Sequence, residues 1–164
     1  DALGQPIDGK GDLDKKINNH SSIRSFNHSL PMQLLKAREA AMSRFRPMLR
    51  KHGLTEQRWR VIRAIHEHGK IDASELAMRS FLLSPSLTRI LKYLKDEKIV
   101  LRSGDNNDLR RSVFSLTEKG NKIITDVAPE TEYLYQEIES LFGTDKFNQI
   151  FALLEEFSAK INKE

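Results

Sequence analysis

Apolar residues recur at three- and four-residue spacing along most of the chain beyond residue 30, and the interruptions of that rhythm divide it into helices. Leu34, Leu35, Ala41, Met42 and Phe45 form one stripe, which predicts a long helix from Pro31. Pro47 removes a backbone donor and predicts a kink or break near Phe45. Gly53 closes the segment. Thr55 then stands as the cap of a second helix that buries Trp59, Ile62 and Ile65 and ends at Gly69. A short helix over Ala73–Ser80 follows. Ser84 offers its hydroxyl to an orphan amide and Pro85 suits a first turn, so another helix is predicted to begin there. Its stripe is Leu87, Ile90, Leu91 and Leu94, with Ser86, Thr88, Arg89, Lys92 and Lys95 largely elsewhere around the helix.

After Lys98 the period changes. An apolar strand over 99–101, a turn of glycine, aspartate and asparagine over 104–108 and a strand over 112–116 predict a β-hairpin. A long helix over 119–141 is expected to pass Pro129 with a kink rather than a stop, and after Gly143 and Thr144 a last helix carries Phe147, Ile150, Phe151, Leu154, Phe157 and Ile161. Helix, short helix, helix, strand, basic loop, strand is a winged helix-turn-helix. The fold class expected is mainly α with a small β-hairpin wing. Residues 1–29, rich in Asp, Gly, Asn, Ser and Lys, are expected to be a flexible tail, and 30–164 a single domain. Within it, 54–116 is the winged helix-turn-helix, and 30–53 and 117–164 are helices for dimerisation. The last stripe is wider than one short domain buries, so Leu34, Leu35, Phe147, Phe151, Leu154 and Phe157 are expected at a dimer interface, with an intrachain core as the alternative.

Composition narrows the function. At 164 residues and 38% hydrophobic the chain is long enough for one core. No apolar run approaches the roughly 20 residues of a membrane helix, so a cytoplasmic protein is expected. With 0 cysteines there is no disulfide framework, thiolate metal site or thiol redox sensor. The net charge of +4 is unevenly spread: residues 36–63 hold nine basic and two acidic residues, 84–111 seven and four, and 117–164 five and ten. A basic front and an acidic C-terminal third fit a polyanion binder with a separate assembly region; solvated helix faces are the plainer alternative. No acid, base or metal set converges, because His66 and His68, two apart, point about 200° away from each other around a helix. Neither an enzyme nor a cofactor is expected.

Short polar residues in the first turns of the helix at Ser84 (Ser84, Pro85, Ser86, Thr88) let its N-terminus approach phosphates or base edges, Arg89 is long enough to reach a guanine, and Lys92 adds charge. On the hairpin, Asp108, Arg110 and Arg111 are placed at a projecting loop suited to a narrow minor groove, with Asp108 alternatively holding one of the arginines. The run NDLRRSVFSLTEKG at 107–120, together with SPSLTRIL at 84–91, resembles the MarR family of bacterial transcriptional regulators, whose wing carries Asp-x-Arg followed by a strand and Leu-Thr-x-x-Gly. Residues 34–65 are similar to the subgroup that represses degradation operons for homoprotocatechuate and related aromatic acids. The resemblance implies a homodimer bound to a pseudo-palindromic double-stranded DNA operator, released by a small aromatic carboxylate. It places the effector near Arg38, Met42, Phe45, Trp59 and Arg63, with Arg38 on the carboxylate and Met42 and Trp59 about the ring. An architectural winged-helix DNA-binding protein without effector is the competing expectation.

Overall fold

The computed structural model describes residues 23–104, 107 and 111–162, and the chain divides into two units, 1–40 and 41–164. Most of the expected tail, residues 1–22, therefore lies outside the described residues. In the first unit a short 3-10 turn, Phe26–His28, precedes α1, which spans Leu30–Lys51. The turn is tied by Ser25 Oγ to His28 Nδ1 at 2.7 Å, and the Gln33 amide donates to the Asn27 carbonyl at 2.5 Å.

Of the kink or break expected near Phe45, the break is not there: α1 runs for 22 residues with Pro47 inside it. Magnitudes explain this. An interior proline costs a helix about 3 kcal/mol, whereas burying two large apolar side chains contributes about 1.5–3 kcal/mol each. Met48 and Leu49, immediately after the proline, are 8% and 1% exposed. The extra helical turn carries both into the core of the second unit, and Gly53, at φ +71°, lets the chain turn away afterwards.

Helix α2 (Glu56–His68) starts where the sequence indicates. Thr55 Oγ1 accepts from the Arg58 amide at 3.2 Å, and Gly69 adopts φ +74° at the other end. Next comes a strand that the sequence reading omits, β1 (Ile71–Asp72). Two residues are too few to display a period. Asp72 also caps α3 (Ala73–Ser80), its Oδ1 accepting from the Glu75 amide at 2.9 Å. Helix α4 (Ser84–Asp96) opens differently from expectation: Leu83 is its N-cap, with no side-chain hydrogen bond, and Ser84 is already helical.

Strands β2 (Val100–Ser103) and β3 (Val113–Leu116) lie one or two residues from their predicted spans, and the sheet runs β1-β3-β2, antiparallel throughout. Ile71 pairs with Phe114, and Arg102 faces Phe114 from the other side. Ile71, Val100 and Phe114 are buried against Val61, Ile62 and Ile65 of α2, Leu76 of α3, and Leu87, Leu91 and Leu94 of α4. A satellite contact ties α2 to α4, where the Arg58 guanidinium lies 3.5 Å from the centroid of the Tyr93 ring.

Two further helices follow among the described residues, α5 (Glu118–Phe142), continuous through Pro129, and α6 (Thr144–Ile161). The start of α5 explains the Leu-Thr-x-x-Gly run physically. The Thr117 hydroxyl lies 2.7 Å from the Lys98 carbonyl and accepts from the Gly120 amide at 3.2 Å, clamping the helix start to the chain entering β2. A Cβ on Gly120 would lie 2.5 Å from the Ile99 carbonyl oxygen and 3.1 Å from Leu116. Only glycine allows this approach. A hydrogen bond and an ion pair then join α5 to the end of α1: Glu130 meets His52 Nε2 at 2.7 Å and Lys51 Nζ at 3.3 Å. The His52 hydrogen bond, followed by that of Lys51, holds the Glu130 carboxyl below the usual carboxylate range. Among the described residues no helix is long and apolar enough to cross a membrane.

Candidate nucleic-acid interface and effector cavity

Helix α4 divides by face. Leu87, Leu91 and Leu94 are buried, while Ser84, Pro85, Thr88, Arg89 and Lys92 are exposed and Ser86 is half-buried. The hydroxyl of Thr88 donates to the Ser84 carbonyl at 2.9 Å, so its lone pairs face outward as acceptors. Lys92 Nζ pairs with Asp96 at 3.2 Å, an exposed contact worth a few tenths of a kcal/mol that a phosphate can displace. Arg89 has no partner among the described residues and is the long cation on this face that is ready for a guanine or phosphate.

The base of the wing is stapled by side chains. Arg102 Nε donates to Ser112 Oγ at 2.8 Å, and Ser112 is fully buried. Arg111 is exposed at the foot of β3. The other two wing residues singled out from the sequence, Asp108 and Arg110, lie outside the described residues.

A cavity of about 520 Å³ opens between α2 and α5. Trp59, Arg63 and His66 line it from α2, and Ile124, Thr131 and Tyr135 from α5. Two features set it apart from a packing defect. Arg63 has no partner among the described residues, and Thr131 Oγ1 is buried without a hydrogen bond there. A buried unsatisfied hydroxyl costs about 1–3 kcal/mol. Glu67 and Glu132 stand at the same walls, so Arg63 supplies the positive charge that an anion needs.

Of the five effector residues inferred from the sequence, the structure brings Trp59 and Arg63 into this cavity. Met42 and Phe45 instead pack against the core, Phe45 with its ring centroid 5.1 Å from that of Tyr135. Arg38 belongs to the first unit, where it pairs with Glu39 at 3.2 Å. Sequence reasoning missed Thr131 and Tyr135. Both lie on α5 at i and i+4 and share a face, a signal visible only once α5 is known to pack on α2. His66 and His68 part company as their spacing implies. His66 lines this cavity, while His68 lines a groove of about 440 Å³ with Arg60, Met78 and Phe81.

Among the described residues, those assigned to a dimer interface are not part of the buried core. Leu34 and Leu35 are exposed in the first unit. On α6, which has no buried residue, Phe151, Leu154 and Phe157 are 54%, 43% and 39% exposed, and Phe147 packs edge-on against Phe151 at 5.0 Å.

Comparison with known proteins gives these features a context. The model of the MarR family matches residues 54–112. The chain is 44% identical over 131 residues to the homoprotocatechuate degradative operon repressor of Escherichia coli, covering 80% of this chain and 88% of that protein. It is 37% identical over 135 residues to the HTH-type transcriptional regulator FarR of Neisseria gonorrhoeae, covering 82% and 92%. Among solved structures, the transcriptional regulator PA4135 superposes with a TM-score of 0.75 at 44% identity, covering 80% of this chain and 96% of that one. NadR in complex with 4-hydroxyphenylacetate gives 0.74 at 37% identity, covering 81% and 96%. These relatives are regulators rather than enzymes. With a family model on its helix-turn-helix and relatives matched over most of their length, the chain belongs to the MarR family of transcriptional regulators.

Proposed function

We propose that this protein is a sequence-specific, homodimeric DNA-binding repressor of an aromatic-compound degradation operon, released from a pseudo-palindromic operator by a small aromatic carboxylate. The observation that carries the DNA reading is the division of α4, which anchors its leucines in the core and leaves Ser84, Thr88, Arg89 and Lys92 facing solvent. In a two-fold dimer, two such helices meet successive major grooves roughly 34 Å apart, and Arg111 on each wing reaches toward the flanking minor groove.

The effector reading is supported by the α2–α5 cavity. In this reading Arg63 takes the carboxylate and Trp59 and Tyr135 flank the ring. Two relatives point the same way, one a homoprotocatechuate degradative operon repressor and one solved with 4-hydroxyphenylacetate. Because α2 carries the cavity and leads into the helix-turn-helix, an occupant that shifts α2 against α5 changes the separation of the two reading heads.

The test is a gel-shift titration on the DNA flanking the protein's own gene, against excess random competitor, with and without hydroxylated phenylacetic, benzoic and cinnamic acids. Specific binding released by one of these acids is the expected outcome. Arg63→Ala should then bind the same DNA and lose the response. Binding that random DNA competes away would instead favour an architectural role.

A further inference from the structure

The turn between α3 and α4, Phe81-Leu82-Leu83, places its three apolar side chains in three different settings. Leu82 packs against the core, and Phe81 lines the groove beside α2. Leu83 does neither: it stands at the N-cap of α4 and is 78% exposed, next to Phe81, whose side chain is 87% exposed although it lines that groove. Folding disfavours leucine there twice over. An N-cap position favours Ser, Thr, Asp or Asn, whose side chain would accept from an amide of the first turn, and leucine leaves that hydrogen bond unmade. Its side chain also gains almost nothing from burial. The other leucines of this helix, Leu87, Leu91 and Leu94, are all accounted for by the core.

We infer that Leu83 is a specificity-determining residue that reads the 5-methyl group of a thymine in the major groove. The inference rests on the DNA-binding role proposed above for α4. Leu83 adjoins the exposed Ser84 and Pro85 at the tip of that helix, the part that a helix-turn-helix sets among base edges. The apolar feature that a base pair offers on the major-groove side is the thymine methyl, so an exposed leucine at this tip has that partner and no polar one. The position thus trades a capping hydrogen bond for recognition that Arg89, which interacts through polar atoms, does not provide.

Selection from a random duplex library with the full-length protein supplies a cognate site, whose thymines are then replaced one at a time by deoxyuridine, deleting a single methyl each. With the unsubstituted protein, one position per half-site should lose about fourfold in affinity on deletion, the worth of one buried methyl-sized group. Leu83→Ala should bind the methylated site more weakly by a similar factor and become indifferent to deletion at that position. Leu83→Ser provides the opposing readout: by restoring a cap it should raise Tm by about 2 °C while losing the methyl preference. Sensitivity retained by both variants at the same thymine, or an enriched site at which no methyl matters, overturns the inference and leaves DNA binding intact. A selection that enriches no sequence overturns the DNA reading of α4 and this inference with it.

Discussion

Helices α4 and α6 carry the same kind of pattern and meet different fates. Both present apolar residues every three or four positions, but Leu87, Leu91 and Leu94 of α4 are at most 3% exposed, whereas every described residue of α6 is at least partly open to solvent. The difference is one of neighbours. Helix α4 is enclosed by α2, α3 and the sheet, while the α6 stripe of Ile150, Phe151, Leu154 and Phe157 has no comparable cover among the described residues of its unit. An amphipathic pattern therefore states that a face needs covering. It does not state whether the cover comes from the same chain, and exposed aromatic area on this scale is characteristic of an assembly surface.

The contrast can be broken from either side. Leu94→Ala should cost about 2–5 kcal/mol in urea denaturation, because it opens a cavity in a closed core. Phe151→Glu combined with Leu154→Glu should leave the helical circular dichroism of the subunit largely in place, convert a dimer to a monomer in light scattering, and weaken operator binding roughly 100-fold or more by removing the second reading head. Should the double variant stay dimeric, α6 is not the interface.

A smaller effect tests how the two regions are joined. Helix propensity alone predicts that Gly120→Ala stabilises by about 1 kcal/mol, but the added Cβ meets the Ile99 carbonyl and Leu116. The collision should prevail, giving a net loss of about 1–3 kcal/mol; a gain in Tm would show that α5 can lift off β2 without penalty. Arg89→Ala sharpens the account of α4 itself. It should cost about 1–3 kcal/mol on a selected site and much less on random DNA, since its guanidinium is unpaired among the described residues; equal losses on both would make it a phosphate contact.

The smallest expected effect concerns the tie between α1 and α5. The folded-state pKa of Glu130 is depressed by His52 and Lys51, so its contribution is complete above the unfolded value near 4.5 and is lost as pH falls through the lower folded value. Glu130→Gln should thus lower Tm slightly at pH 6, with the difference closing toward pH 3. A constant difference over that range would mean that packing, not charge, is what the substitution removes. The group is solvent-accessible, which keeps the effect small.

Much of this molecule could be read from local chemistry. The Thr55 cap, the Gly69 stop, the short α3 and the paired strands follow from residues that act on their immediate neighbours, and so did the resemblance carried by residues 84–120. Half of the cavity was legible as well, because Trp59 and Arg63 sit on one helix with the right chemistry. The remainder depends on residues distant in sequence. Pro47 stays helical because Met48 and Leu49 find a core, Ile71 becomes a strand because Phe114 is there to pair with it, and Ser84 cedes the cap to Leu83. The same holds for Thr131 and Tyr135, which enter the cavity only because α5 lies across α2. By itself the sequence determined which faces are apolar, where capped helices such as α2 start and stop, and which residues carry charge, since propensity, capping and periodicity act over a few residues. Tertiary structure alone decided which apolar face is closed and which left open, and which side chains share a cavity, since burial and pairing depend on groups that only the fold brings together.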